Sequence, residues 1–241
     1  MKKLLDFLVR LLFPPKCMVC KRIITEYDTI CPECWAKVKK IQRPFCAKCS
    51  EPLEFKISDD DICLNCLKNE PLYIKSRTAF IYNKFISKII MRFKFYDETY
   101  LKTFMAKNMI DASADIIAQI DILIPVPLHK NRLRQRKYNQ SLLLCKEIAK
   151  RTGKIVITDF LYKSKHTIPQ AKLNQISRKE NLKNNFKINK KYKGLYKDKN
   201  FAIVDDVITT GTTINECVKI LNRRGIKNVY AISFAKTSLN H

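Results

Sequence analysis

Eight of the ten cysteines of this 241-residue chain fall in four Cys-x-x-Cys pairs: Cys17 and Cys20, Cys31 and Cys34, Cys46 and Cys49, Cys63 and Cys66. Two thiolates on a tight turn can bind one zinc ion while a second turn completes a tetrahedral shell. The spacing favours sequential sites, with Cys17, Cys20, Cys31 and Cys34 on one ion and the later four on the other. An interleaved cross-brace, pairing the first turn with the third, is the rival geometry. Disulfides are the other use of such cysteines, and they belong to secreted chains. The leading segment MKKLLDFLVRLLFPP is a poor signal peptide, because Asp6 and Arg10 break its apolar run and no small-residue cleavage site follows. Two structural zinc ions in a reducing cytoplasm are therefore expected. No histidine accompanies the cysteines, so the metal is expected to drive folding rather than catalysis. Cys145 and Cys217 stand far from any pair, on helical patterns, and read as buried small apolar residues.

The second chemical signal is Phe201-Ala-Ile-Val-Asp-Asp-Val-Ile-Thr-Thr-Gly-Thr-Thr213. A short apolar strand runs into paired acids, then a hydroxyl-rich turn, then a helix. Backbone N–H groups of Thr209, Thr210, Gly211, Thr212 and Thr213 can converge on a phosphate at the helix N-terminus. Gly211 permits close backbone approach, and the threonine hydroxyls add short donors. Asp205 and Asp206 can accept from sugar hydroxyls or help hold magnesium. A helix-capping surface turn would explain the threonines, but not two acids on a buried strand. The segment resembles the 5-phosphoribosyl-1-diphosphate (PRPP) signature of type I phosphoribosyltransferases. It is not a Walker A loop, since the G-K-[ST] ending is missing.

Two further segments carry charge in a usable pattern. Residues 124–140, IPVPLHKNRLRQRKYNQ, gather Arg132, Arg134 and Arg136, whose planar forks of donors suit a diphosphate. Residues 161–186 place Gln170, Leu173, Arg178, Asn181 and Phe186 on a polar segment expected to be mobile. The plain alternatives are a solvated basic loop and a surface helix.

These groups need a scaffold. From about residue 74 the texture alternates between strand and helix. Strands are expected at Thr78–Tyr82, Asp121–Ile124, Phe201–Val204 and Val229–Phe234, and helices at Ile86–Phe95, Leu101–Ile117, Asn139–Arg151 and Thr213–Arg224. Strands separated by helices imply an α/β fold, a mostly parallel sheet with flanking helices, whose ligands bind beyond the carboxyl strand ends. Ahead of it, residues 1–15 place Leu4, Leu5, Leu8, Leu11 and Leu12 at helical spacing. That helix is expected to dock on its own protein, with an anionic bilayer as the alternative. Residues 16–72 form the zinc-ribbon part and 73–241 the larger domain.

Composition narrows the class. Apolar residues make up 46% and glycines number only 4, which excludes collagen-like, linker and low-complexity chains. No apolar run is long enough for a membrane span. The formal charge is +25, from 47 Lys+Arg and 22 Asp+Glu. Residues 1–75 hold a net +4 and residues 76–241 a net +21. Zinc-bound thiolates would bring the first part to about zero. A PRPP site uses only a few arginines, and the lysines between Lys187 and Lys199 suit a polyanion, with Tyr192 and Tyr196 placed to stack exposed bases. Compositional bias toward lysine is the competing account.

Taken in order, the double ribbon, the P-V-P-L…R…N-Q segment, the Q-x-x-L-x-x-x-x-R-x-x-N segment and the D-D-x-x-T-T-G-x-T loop resemble the ComF family of late-competence proteins over nearly the whole chain. Members commonly carry Arg-Gly-Phe-Asn-Gln where this chain has Arg136-Lys137-Tyr138-Asn139-Gln140. The turn must then manage without glycine or place Lys137 at positive φ at some cost. Lys163 and Lys165 stand where arginines are frequent. The resemblance implies a type I phosphoribosyltransferase-like domain behind a zinc ribbon, in a bacterial protein assisting uptake of single-stranded DNA during natural transformation. It implies two zinc ions, magnesium with PRPP, and partners among DNA-uptake channel or helicase proteins at the inner membrane. The location would be cytoplasmic or peripheral to that membrane. If transfer occurs, Asp205 and Asp206 are the catalytic candidates. A nucleotide-salvage phosphoribosyltransferase and a PRPP-sensing DNA-binding regulator are the alternatives.

Overall fold

The computed structural model describes residues 10–55, 58, 60–163, 185–192, 196 and 198–238. In the cysteine-rich part, the single-turn helices α1 (Pro32–Trp35) and α2 (Leu64–Lys68) start directly after Cys31 and Cys63. Then follow β1 (Ser76–Ile81), α3 (Lys84–Phe95), α4 (Leu101–Ala112), α5 (Ala114–Ile117) and β2 (Ile122–Pro125). Next come α6 (Lys130–Arg136), α7 (Gln140–Thr152), β3 (Ile155–Val156), β4 (Leu161–Lys163) and β5 (Phe186–Ile188). The chain closes with β6 (Phe201–Ile208), α8 (Thr212–Asn222) and β7 (Val229–Lys236).

Five strands make one sheet in the order β1-β7-β6-β2-β3, with all neighbours parallel. The antiparallel pair β4–β5 stands apart from it. Period-two alternation sends each strand's residues to two cores. Leu123, Ala202, Val204, Tyr230 and Ile232 meet Ile86, Phe93, Phe104, Met109 and Leu144 of α3, α4 and α7. Ile122, Ile124, Phe201, Ile203 and Ala231 meet Phe160, Ile214, Val218 and Leu221 on the other side. Both faces are covered, as the run of buried strand residues requires. Cys145 and Cys217 are fully buried in these cores, where burial pushes both thiols up.

Some elements differ from expectation. The helix foreseen over Leu101–Ile117 breaks at Ser113, whose Oγ donates to the Met109 carbonyl at 2.6 Å while its backbone leaves the helical region. Helix α6 (KNRLRQR) has one apolar residue, Leu133, and so no periodicity to reveal it. The pairing of β4 with β5 joins segments separated by more than twenty residues, a contact invisible locally. Strand β6 does not end at Val204 but runs through both acids to Ile208. Leu4, Leu5 and Leu8 lie outside the described residues. Leu11 and Leu12 are 68% and 72% exposed, while Arg10 donates to the Thr25 carbonyl at 3.3 Å and the Phe13 carbonyl accepts from the Tyr27 hydroxyl at 2.7 Å.

The cysteines form two sequential sets among the described residues, Cys17/Cys20/Cys31/Cys34 and Cys46/Cys49/Cys63/Cys66, each with its sulfurs within 4.8 Å. The cross-brace is excluded. Sulfur separations of 3.8, 3.6 and 3.7 Å match the edge of a tetrahedral Zn–S4 unit, about 3.8 Å for a bond of about 2.3 Å. The donor set therefore fits structural zinc.

This part is woven into the sheet rather than tethered to it. Lys40 bridges Phe80 antiparallel, with Ile41 N–H to Ala79 O at 2.9 Å and Ile81 N–H to Lys39 O at 2.8 Å. The free edge of β1 is thereby covered, removing a site for unwanted strand pairing. Cys17, Cys31 and Cys34 belong to the same core as Phe80 and Phe104. Trp35 packs on those two rings, with centroids at 6.2 and 5.8 Å. Arg92 of α3 donates to the Val19 carbonyl at 2.8 Å. Because Trp35 is the only tryptophan, its fluorescence reports this junction alone. Chelating the metal is expected to lower the melting temperature of the whole chain in one transition, with Trp35 emission and far-ultraviolet dichroism falling together. Two separated transitions would show the ribbons to be independent.

Candidate functional site

The site exists because β6 is paired unequally. Its ladder with β2 stops at Val204, opposite Pro125, while its ladder with β7 continues to Ile208 opposite Lys236. Pro125 and Pro127 bring no N–H group to that side, so the chain turns away into α6. A cleft of about 490 Å³ opens at the carboxyl strand ends, and Asp205 and Asp206 form its floor.

The two acids have different surroundings. Asp206 is buried, and its Oδ1 meets the Lys94 ammonium at 2.8 Å. Asp205 Oδ1 accepts from Ser141 Oγ at 3.1 Å and from the Asp206 N–H at 2.9 Å. Burial, and then the neighbouring Asp206 charge, pushes the Asp205 carboxyl up to about 7. Lys94 works in the opposite direction but does not offset them.

Above the acids, Thr209 and Thr210 are exposed and Gly211 caps α8 at φ 73°. A Cβ at Gly211 would touch nothing within 4 Å, so the backbone angle rather than crowding calls for glycine there. Thr210 and Thr212 share a hydroxyl hydrogen bond of 2.7 Å. The first turn of α8, a helix of 11 residues whose leading N–H groups have no intrahelical partner, lines the cleft.

Across from the loop, α6 presents Arg132 and Arg136 to the cleft. Four residues apart, they share a helix face, while Arg134 falls on the opposite face and is exposed. The cluster expected from the sequence is therefore two arginines in the cleft and one outside it. Arg136 lies over the Phe95 ring at 4.8 Å and donates to Gln140 Oε1 at 3.2 Å. Lys163, at the end of β4, is pushed down to about 8 by burial and then by Arg132.

The segment after Arg136 is used residue by residue. Lys137 adopts φ 63°, the strained alternative open to a turn without glycine, and its ammonium pairs with Asp97 at 2.7 Å. Tyr138 donates to the Phe93 carbonyl at 2.7 Å. Asn139 caps α7, its Oδ1 accepting from the Leu142 N–H at 3.3 Å, and holds the Val126 carbonyl at 3.1 Å. Ser141 then lies against Asp205. Lys94, Phe95 and Ser141 were not foreseen. Lys94 and Phe95 belong to no motif, and Ser141's only sign is its place directly after Asn139-Gln140.

Gln170, Leu173, Arg178, Asn181 and Lys165 lie outside the described residues. Tyr192 and Tyr196 are described, the first half-buried and the second 38% exposed. Tyr192 stacks on Phe160 at 5.1 Å and donates to Asp159 at 2.8 Å, and Tyr196 packs edge-on to Phe160 and Phe201. Tyr192 packs against the second core, which a local lysine-tyrosine pattern does not disclose.

The double zinc ribbon domain family matches residues 8–67, and the phosphoribosyl transferase domain family matches residues 139–238. Competence protein F of Haemophilus influenzae is 30% identical over 227 residues, covering 92% of this chain and 96% of that protein. DNA utilization protein YhgH of Salmonella typhimurium is 26% identical over 226 residues, covering 92% and 90%. Competence protein ComFC of Bacillus subtilis is 23% identical over 205 residues, covering 82% and 80%.

A carboxyl raised from its unfolded value, about 4, to about 7 holds a proton in the folded chain that the unfolded chain has released. Stability then falls as pH rises through that window, by up to about 1.4 kcal/mol per pH unit. Asp205→Asn is expected to flatten this slope between pH 5 and about 7, as read from denaturant midpoints. An unchanged slope would place the proton elsewhere.

Proposed function

Since this chain belongs to the competence protein F (ComF) family, we propose that it assists uptake of single-stranded DNA during natural transformation. We further propose that its cleft binds PRPP. The acid pair and the Thr209–Thr213 loop facing Arg132 and Arg136 across one cleft carry this reading.

Each part of PRPP has a matching group. The N–H groups of the α8 turn and the hydroxyls of Thr209, Thr210, Thr212 and Thr213 suit the 5-phosphate dianion. Asp205 and Asp206 suit the ribose hydroxyls. Arg132, Arg136 and Lys163 suit the diphosphate, two through planar forks and one as a point charge. The carboxylates also offer hard oxygen donors for magnesium, which would neutralise part of the diphosphate charge. Should transfer to an acceptor occur, these residues would position the ribose and stabilise the departing diphosphate as C1 becomes cationic.

The polyanion reading rests mainly on charge, with Tyr196 the more exposed of the two tyrosine rings. A net +21 on residues 76–241 exceeds what one PRPP needs. Arg134, exposed on the outer face of α6, is better placed for a nucleic-acid phosphate than for the cleft. The zinc-ribbon part over residues 16–72 would serve as a structural wall of the domain over 73–241.

Calorimetry with magnesium and PRPP is expected to show one site on the wild type and loss of at least about tenfold in affinity for Asp205→Ala with Asp206→Ala, equivalent to about 1.4 kcal/mol or more. A deletion strain should lose transformation, and the double variant should fail to restore it. Normal uptake in the deletion strain would remove the DNA-uptake role, while full rescue by the double variant would make the PRPP site dispensable. Gel shifts on single strands across a salt series are expected to give log K falling linearly with log salt, by about 0.7 per phosphate contacted. Salt-insensitive binding would exclude backbone contacts.

A further inference from the structure

The loop over Thr209–Thr212 has a cavity on each side. One is the cleft. The other, also about 490 Å³, lies behind the loop and is walled by Cys49, Cys63 and Cys66 of the second cysteine set. With open space on both sides, few packed atoms fix the loop's position, and specific struts must do so.

Lys236, the last residue of β7, is such a strut. Its side chain is 8% exposed, and its ammonium pairs with Glu51 Oε2 at 2.7 Å, the Glu51 side chain being 5% exposed. The same nitrogen donates to the Cys49 carbonyl at 3.0 Å and reaches the Cys49 sulfur at 3.5 Å. Its backbone lies opposite Ile208, the residue before Thr209, and the Thr237 N–H bonds the Ile208 carbonyl at 3.1 Å. The Lys236 carbonyl accepts from Tyr82 N–H at 2.7 Å, tying in the end of β1. A second link starts beyond the same cysteine set, where the Leu72 N–H donates to Asn215 Oδ1 at 3.1 Å in the first turn of α8.

The electrostatics explain why a lysine can be buried here. An ammonium removed from water needs anionic partners and several hydrogen bonds. Glu51 supplies one charge, and four thiolates around a divalent ion supply a net negative charge at Cys49. The metal also fixes where Cys49 stands. Loss of the metal would free the Cys49 turn and with it the carbonyl and sulfur that hold Lys236.

We propose that Lys236 is a positioning residue coupling the second four-cysteine metal site to the phosphate loop, so that zinc and PRPP each strengthen the other's binding. The proposal rests on the PRPP reading of the cleft. Thermodynamic linkage makes the effect reciprocal, which gives it a readout that a merely structural lysine would lack.

The test uses the full chain loaded with zinc, a chromophoric chelator to follow zinc loss, and magnesium with PRPP. In the wild type, PRPP is expected to slow loss of one of the two ions by about fivefold or more. Lys236→Met should weaken PRPP binding and remove the protection. Because that change removes the Lys236 counter-charge from the buried Glu51 carboxylate, the pair Lys236→Met with Glu51→Gln serves as the second variant. It should keep two zinc ions and wild-type Trp35 emission, yet show no protection. No heat of PRPP binding to the wild type would overturn both this proposal and the reading beneath it. PRPP binding without slowed zinc loss would overturn the coupling alone. Protection persisting in the double variant would overturn the role of Lys236.

Discussion

The ion pair between Lys94 and Asp206, with N···O at 2.8 Å, is what allows β6 to carry two adjacent carboxylates into the buried part of the sheet. A charge taken out of water there needs a counter-charge at contact distance. Only Asp206 has one, and the adjoining Asp205 is left easy to protonate. The lysine comes from the last turn of α3, and that turn is a junction. Arg92 fastens the first cysteine turns, Phe95 lies under Arg136, and Asp97 holds Lys137. Moving α3 would disturb the acids, the arginines and the ribbon together.

The cysteine-rich part shows why a small metal module is retained beside a complete sheet. Segments this short cannot bury enough apolar surface to fold alone. Here the first set shares its core with Phe80 and Phe104, and the linker at Lys39–Ile41 covers the edge of β1. The second set reaches the carboxyl end of β7 through Cys49 and Lys236. Each set therefore touches an element that also shapes the cleft, one at α3 and one at the phosphate loop.

Legibility followed the range of the interaction. The four long strands and the main helices were readable, because burial imposes a period of two or of 3.6 on nearby residues. Helix α6, with Leu133 as its one apolar residue, had no such period, and β4 with β5 has meaning only as a long-range pair. In the site, Asp205, Asp206 and Thr209–Thr213 were legible because one strand-turn-helix unit holds them contiguously. Lys94, Ser141 and Lys236 were not, since each meets its partner across 64 or more positions of sequence, and a lysine that pairs in a core looks like any surface lysine.

The sequence alone determined the four metal-binding cysteine turns, the parallel α/β plan and the phosphate-type loop, since tight turns, strand alternation and a helix start are properties of neighbouring residues, while the choice of sequential over interleaved cysteine sets came from the fold. It also left the choice at Lys137 between a strained turn and a different one, and the fold took the strained turn, offset by Asp97. Tertiary structure alone decided which arginines face the cleft, how Asp205 differs from Asp206, and that Tyr192 packs against the core. Helix orientation, burial and counter-charge come from elements distant in the chain, and no local pattern records them.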